Sequence, residues 1–226
     1  MPGPLAVSTA GDGHPFLWGH GLLQSMAAED ENGPIRWPSV DLADTRLIRW
    51  DARGHGTSPT PEASGACRWP ALARDALAIA DRDGIGSFSI GGASMGAATA
   101  LWTAVFAPER VDRLVLALPP TAWESRSRSA GIYRVGGMLS ERLPIGRSRR
   151  RAVVLRGAAE SDLPDPVAIA EIAAPTLILA WRFDPIHPVK TAERLRDLLP
   201  AADLHVTGRI GDTSGWVERL RDFLSR

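Results

Sequence analysis

Apolar and polar positions follow two different periods along the chain. Six short runs rich in β-branched and apolar residues are separated by longer stretches in which apolar residues recur every three or four positions. This alternation is typical of an α/β protein with a mostly parallel sheet, and several runs are apolar throughout, as strands covered on both faces are. The predicted strands are residues 15–19, 45–50, 87–93, 113–118, 176–181 and 204–207.

The longer stretches each present one apolar face at helical spacing. In the last of them, Val217, Leu220 and Leu224 lie on the same side of a helix. Helices of this kind cover both faces of a parallel sheet. The predicted helices are residues 69–82, 95–106, 189–199 and 216–224.

The stretch from Pro119 to Pro175 breaks the alternation. It is rich in Arg, Ser, Gly and Pro, shows no clear strand, and has marginal helical pieces at residues 130–143 and 165–173. Because it lies between two predicted strands, we interpret residues 119–175 as a short cap on a single domain of residues 1–226. Inserted segments of this kind often cover a site and move.

Charge and composition narrow the classes of partner. The chain has 226 residues, with 26 Lys and Arg against 26 Asp and Glu. A net charge of zero argues against nucleic acid and against an anionic membrane, and it permits self-association as a homodimer. The arginine run at residues 147–151 is interpreted as a solvated face. With neither a signal peptide nor a membrane-length apolar run, we expect a cytoplasmic protein.

The cysteine and histidine counts bear on the chemistry. Cys67 is the single cysteine, so the chain cannot form an internal disulfide. No spacing typical of a metal site occurs, and we predict neither a metal nor a cofactor. The five histidines are the candidate proton carriers near neutral pH.

The sharpest motif is Gly-Ala-Ser-Met-Gly at residues 92–96. It follows a predicted strand and begins a predicted helix, which is the setting of a nucleophile elbow centred on Ser94. Such a turn is strained and crowds the positions two before and two after the serine, so both must be small. The backbone N–H of Met95 then lies at the helix N-terminus, where it can stabilise an oxyanion.

Two further segments agree with this interpretation. Residues 18–22, Trp-Gly-His-Gly-Leu, follow the first strand and offer the backbone N–H of Leu22 as a second oxyanion donor. Residues 51–58, Asp-Ala-Arg-Gly-His-Gly-Thr-Ser, form a glycine-rich connection after the next strand. With the late segment Pro-Thr-Leu-Ile-Leu-Ala at 175–180, which leads to Asp184, the chain resembles the α/β-hydrolase fold family over nearly its whole length.

The resemblance implies a fold and a set of site residues. The fold is a mostly parallel sheet with helices on both faces and a cap. Ser94 matches the nucleophile, Asp184 matches the acid of the catalytic triad, and Met95 and Leu22 match the oxyanion donors. A serine at position 94 argues against family branches that form their covalent intermediate on a carboxylate.

The third member of the triad departs from the family pattern. The family places a histidine in the loop after the last strand, but residues 208–215 contain none. His187, three residues after Asp184 and between two prolines, is the best substitute, unless it only caps the next helix or lies exposed. His20 is close to the site and is expected to be structural or supporting. Asp212 could act only as a weak base.

Two classes of function therefore remain open at the level of sequence. The first is a serine hydrolase that acts on small esters, lactones or related acyl substrates, without cofactor. The second is a non-hydrolytic or catalytically impaired member of the fold that binds a small ligand or a partner. A weaker third alternative is a cofactor-free oxidation or lyase reaction in the same pocket.

Overall fold

Seven strands form one sheet at the centre of the molecule. The computed structural model describes residues 3–141 and 146–226. The strand order is β1-β3-β2-β4-β5-β6-β7, and every neighbouring pair is parallel except β1 with β3. The strands are β1 (Val7–Ala10), β2 (His14–Gly19), β3 (Thr45–Trp50), β4 (Phe88–Ala93), β5 (Val111–Ala117), β6 (Thr176–Trp181) and β7 (Ala202–Thr207).

Helices cover both faces of this sheet. Because side chains alternate along a strand, Ile178 and Ala180 of β6 join one core and Leu177 and Leu179 join the other. Helices α2, α3 and α7 pack on the first face and α8 packs on the second. The helices are α1 (Met26–Asn32), α2 (Trp69–Arg82), α3 (Met95–Phe106), α4 (Arg126–Glu141), α5 (Gly146–Ala159), α6 (Pro166–Ala170), α7 (Val189–Leu198) and α8 (Trp216–Leu224).

The predicted fold class is confirmed, with shifts at the ends of elements. All six predicted strands exist, but β5 begins at Val111 and β7 begins at Ala202. The extra residues pair with β4 and β6, and pairing of this kind is not visible in a local pattern. The strand β1 was missed because it is an exposed edge strand with little apolar sequence. The cap stretch holds α4, α5 and α6, of which α5 was missed because arginines fill its first turns. The predicted helical piece at 130–143 ends outside the described residues.

The order of the strands predicts where a ligand binds. Strand β2 lies between β3 and β4 and is parallel to both. The connection after β2 therefore leads to β3 on one side of β2, and the connection after β3 leads to β4 on the other side. This reversal makes a topological switch point at the carboxyl ends of β2 and β4. Open α/β sheets bind ligands in the crevice at such a point.

None of the helices in the described part of the chain is long and apolar enough to cross a bilayer.

One carboxyl group is buried beneath the β2 end of the sheet. Glu29 of α1 is 1% exposed, and its Oε2 accepts hydrogen bonds from the indole N–H groups of Trp18 (3.0 Å) and Trp37 (3.3 Å). Arg49 lies 3.6 Å from the same oxygen, but it pairs more closely with Asp30, at 2.7 Å. Burial raises the pKa of Glu29 to about 7, because charge is costly away from water.

This group predicts a pH-dependent stability. Above pH 4.5 the unfolded chain ionises Glu29 while the folded chain keeps it protonated up to about pH 7. We expect the free energy of unfolding of the wild type to fall by about 3 kcal/mol between these two pH values. The fall is measured as the change in the difference between the wild type and Glu29→Gln. Urea unfolding at a series of pH values measures both proteins. Parallel pH profiles would contradict the raised pKa.

Candidate active site

Ser94 stands alone between a strand and a helix. Strand β4 ends at Ala93 and helix α3 begins at Met95, so Ser94 forms the whole turn. Its φ of 54° is in the left-handed region, which a residue with a Cβ enters only at a cost. The N–H of Met95, at the first turn of α3, has no partner within the helix. The elbow predicted from the sequence therefore has the expected backbone geometry.

Three glycines make this turn sterically possible. A Cβ on Gly92 would lie 2.6 Å from the carbonyl oxygen of Gly19 and 2.7 Å from the Cα of Gly96. A Cβ on Gly96 would overlap the same Gly19 carbonyl. The end of β2, the end of β4 and the start of α3 therefore touch through backbone alone.

A hydrogen-bonded relay leads from Ser94 to a buried carboxylate. His187 Nε2 lies 2.9 Å from Ser94 Oγ, and His187 Nδ1 lies 2.8 Å from Asp184 Oδ2. An ionised carboxylate only accepts, so Nδ1 carries the proton and Nε2 presents its lone pair to the serine hydroxyl. His187 neither caps α7, which has Pro188 at its N-cap, nor lies open to solvent, since its side chain is 15% exposed.

The loop after β6 wraps around the Asp184 carboxylate. Its Oδ1 accepts hydrogen bonds from the backbone N–H groups of Ile186 (2.8 Å) and His187 (3.1 Å). Burial opposes ionisation, but the hydrogen bond from the His187 ring and these two N–H groups outweigh it, so the pKa of Asp184 lies below its usual value. Asp184 is therefore suited to remain charged beside an imidazole.

The turn after β2, residues 20–24, lies against the elbow and is called the oxyanion turn below. A Cβ on Gly21 would lie 3.9 Å from Ser94 Cβ. His20 Nδ1 donates to the Gly21 carbonyl at 2.8 Å, and His20 Nε2 accepts from the N–H of Ala52 at 3.0 Å. In a trans peptide the C=O and N–H point in opposite directions. The bond from His20 to the Gly21 carbonyl therefore directs the Leu22 N–H away from His20.

A second histidine holds the other end of the oxyanion turn. His55 Nε2 accepts from the N–H of Leu23 at 3.2 Å, and His55 Nδ1 donates to the Arg53 carbonyl at 3.0 Å. Burial lowers the pKa of His55 to about 3 and also lowers that of His20. Both rings are therefore neutral, as an accepting Nε2 requires.

The glycine-rich connection after β3 supports this turn through a carboxylate. Asp51 Oδ1 accepts from the N–H of Met26 at 2.8 Å, and Asp51 Oδ2 accepts from the N–H of Thr57 at 2.8 Å. From the sequence, His55 is interpreted as a histidine that braces its loop, and no task is predicted for Asp51. The signal that could have identified Asp51 is its position directly after a predicted strand, in the same loop as His55.

Backbone strain is concentrated at this edge of the sheet. Among the described residues, six that are not glycine have a φ in the left-handed region. Five of them lie in the connections that leave the carboxyl ends of β2, β4, β5 and β6: Leu23, Ser94, Leu118, Trp123 and Phe183. Strained residues gather at functional sites more than elsewhere, so the strain and the relay indicate the same edge.

The loop after β7, residues 208–215, does not reach into the relay. Asp212 Oδ1 accepts from the Ser214 hydroxyl at 2.6 Å, and the carbonyl of Asp212 accepts from the Trp181 indole at 2.9 Å and from Thr207 Oγ1 at 2.7 Å. The hydrogen bonds from Ser214 lower the pKa of Asp212. The carboxylate that the sequence offered as a weak base is thus engaged within its own loop.

Comparison with known proteins agrees with this architecture. The sequence profile of the family described as alpha/beta hydrolase fold matches residues 15–151. The chain therefore belongs to the α/β-hydrolase family. It is 26% identical to 3-oxoadipate enol-lactonase 2 of Acinetobacter baylyi, over 71% of this chain and 69% of that one. It is 28% identical to 2-hydroxymuconate semialdehyde hydrolase of Pseudomonas putida, over 89% of this chain and 81% of that one.

Solved structures share the fold at lower identity. The α/β-hydrolase enzyme MGS-M2, from a Medee basin deep-sea metagenome library, has a TM-score of 0.79 at 17% identity, over 98% of this chain and 94% of that one. The enol-lactonase of Burkholderia xenovorans has a TM-score of 0.71 at 19% identity, over 98% of this chain and 96% of that one.

Within residues 3–141 and 146–226, no group of three or more histidine, cysteine or carboxylate side chains is arranged to hold a metal ion.

The glycine contact generates a prediction about stability. A methyl group on Gly96 overlaps backbone that cannot move without displacing β2, so we expect Gly96→Ala to lower the free energy of unfolding by about 1–3 kcal/mol. Gly131→Ala in α4 is the matched control, because a Cβ there has no neighbour within 4 Å. The control is expected to be neutral or to stabilise by up to about 1 kcal/mol. Urea unfolding measures both, and equal stabilities would contradict the steric argument.

Proposed function

We propose that this protein is a serine hydrolase that cleaves small ester, lactone or related acyl substrates. The observation that carries the proposal is the continuous relay from Asp184 through His187 to Ser94, with contacts of 2.8 and 2.9 Å. Serine is a weak nucleophile unless a base lies within hydrogen-bond reach, and His187 Nε2 meets that requirement. Membership of a hydrolase family, with a lactonase and a semialdehyde hydrolase among the relatives, supports the same reaction class.

In the proposed reaction, Ser94 Oγ attacks the substrate carbonyl and His187 Nε2 takes the serine proton. Asp184 stabilises the imidazolium that forms. The N–H groups of Leu22 and Met95 hold the developing oxyanion. His187 then gives the proton to the alkoxy oxygen as its bond to the carbonyl carbon breaks. An ester releases a separate alcohol at this step, whereas an opened lactone keeps the new hydroxyl on the acyl chain that Ser94 carries. A water molecule, deprotonated by His187, releases the acid and restores Ser94.

The alternative of a non-hydrolytic binding protein rested on the absence of histidine from residues 208–215. In this chain the acid and the candidate base come from one loop, so that position is not needed. The strained elbow supports the hydrolase as well, because a left-handed serine is costly to keep.

The relay is tested by covalent labelling with a fluorophosphonate probe, which reports nucleophile reactivity without a known substrate. We expect Ser94→Ala to abolish labelling and His187→Ala to slow it by at least about a thousandfold, since triad members act as a unit. His205→Ala is the matched control: it removes the histidine of β7, just before the loop in which the family keeps its base, and should label at the wild-type rate. If His187→Ala is labelled at the wild-type rate, His187 is excluded as the base.

The role of His20 is tested by a pair of variants. His20→Ala removes the donor to the Gly21 carbonyl and frees the peptide that carries the Leu22 N–H. We expect kcat to fall by about tenfold or more with KM little changed, and affinity for a trifluoromethyl ketone to fall by a similar factor. His20→Asn retains a donor at the Nδ1 position and should recover most of the loss. Equal activity of the alanine variant and the wild type would contradict this role.

A further inference from the structure

A recess with an unbalanced positive charge lies beside the oxyanion turn. Its volume is about 240 Å³, and it is lined by Leu23 and Gln24 of that turn, by residues 54–56, and by Arg150 and Arg151 of α5. The sequence suggested that this arginine run is a solvated face. In the structure Arg149 and Arg151 are exposed, and Arg150 and Arg151 also line this recess over the glycine-rich connection.

Only one of the two arginines is held by hydrogen bonds, and neither meets a carboxylate of the described residues. Arg150 donates to the carbonyl of Gly56 at 2.6 Å and to the hydroxyl of Thr60 at 3.0 Å, both of which are uncharged acceptors. Arg151 forms no ion pair or hydrogen bond with any residue of the described ranges. Elsewhere, arginines such as Arg53 meet carboxylates at about 2.6 Å.

Besides the two arginines, the described residues that line the recess carry no charge. His55 is neutral because burial lowers its pKa to about 3. Asp51 lies beneath Gly56, with both of its oxygens occupied by the donors of Met26 and Thr57. Glu62 lines the adjoining recess together with Arg149 and Arg150, outside the recess beside the oxyanion turn. The described lining of the recess thus holds two guanidinium groups and no carboxylate.

The recess is adjacent to the reacting atoms. A Cβ on Gly21 would lie 3.6 Å from Gln24 Cγ, which lines the recess, and 3.9 Å from Ser94 Cβ. Gly21 therefore lies between Ser94 and the arginine recess. This short separation is what the acyl chain of a substrate would have to span.

We propose that the recess binds a carboxylate carried by the acyl part of the substrate, a few carbons away from the scissile carbonyl. The proposal rests on the proposed hydrolase function, because it specifies the substrate class of the same site. Guanidinium groups recognise carboxylates through charge-assisted hydrogen bonds. Among the described residues, Arg151 has no partner that would compete with such a ligand, and Arg150 is already oriented by Gly56 and Thr60.

The kinetic test compares two esters that differ only in charge, the 4-nitrophenyl ester of hydrogen glutarate and that of methyl glutarate. We expect the wild type to prefer the anionic ester, and Arg151→Met to reduce this preference about tenfold, mainly through KM. Arg82→Met is the matched control, since Arg82 is an exposed arginine that pairs with Asp83 at the far end of α2. Added NaCl should weaken the wild-type preference.

A binding measurement separates this proposal from the proposed function. Calorimetry of glutarate with Ser94→Ala should give a Kd that rises about tenfold when Arg151→Met is added. If neither ester reacts but glutarate binding depends on Arg151, the hydrolase proposal fails, while the proposal that the recess binds a carboxylate is supported. If the esters react and neither the preference nor the glutarate Kd changes, the recess proposal is overturned. Tighter binding of inorganic phosphate than of glutarate, without an ester preference, would also overturn it.

Discussion

The contact between Gly19, Gly92 and Gly96 is the constraint on which the candidate site depends. It brings the end of β2 against the end of β4 and the first turn of α3 with no side chain between them. Gly19 precedes the oxyanion turn, and Gly92 and Gly96 flank Ser94. The same backbone contact therefore brings Ser94 and the N–H groups of Leu22 and Met95 to one edge of the sheet. A Cβ at Gly92 or Gly96 would separate parts that, in the proposed reaction, lie within a few ångströms of one carbonyl.

The acid and the base of the candidate triad share a single loop. Asp184 binds the backbone N–H and the ring of His187 at once, so one carboxylate fixes both the fold of the loop and the tautomer of the base. The usual family arrangement divides these tasks between two loops. Here the loop at residues 208–215 contributes no histidine, and hydrogen bonds from Thr207 and Ser214 to Asp212 stabilise its own conformation. The geometry of the relay then depends on the conformation of one short segment between β6 and α7.

Periodicity and residue spacing were sufficient to predict the features of this protein that depend on residues close together in the sequence. Six of the seven strands, the elbow at Ser94 and the turn after β2 come from periodicity and from glycine spacing. The partners of His55 and Glu29 lie in distant segments: the Leu23 N–H binds His55 and the Trp18 indole binds Glu29, and no window of sequence contains these pairs. The position of Arg150 over the glycine-rich connection could not be predicted for the same reason, since its partners are about ninety residues away. His187 was named as a candidate from the sequence, but its distance to Ser94 depends on the fold.

Burial divides the histidines into groups with different chemistry. His20 and His55 are 2% and 4% exposed, burial lowers the pKa of both, and the Nε2 of each accepts a backbone N–H, so both rings support the turn in their neutral form. His187 is partly exposed and lies between the Asp184 carboxylate and the Ser94 hydroxyl. A general base must change its charge during a reaction, whereas a ring that only supports a turn must not. In the proposed reaction, the proton is therefore transferred by His187, and the other two histidines support the turn at residues 20–24.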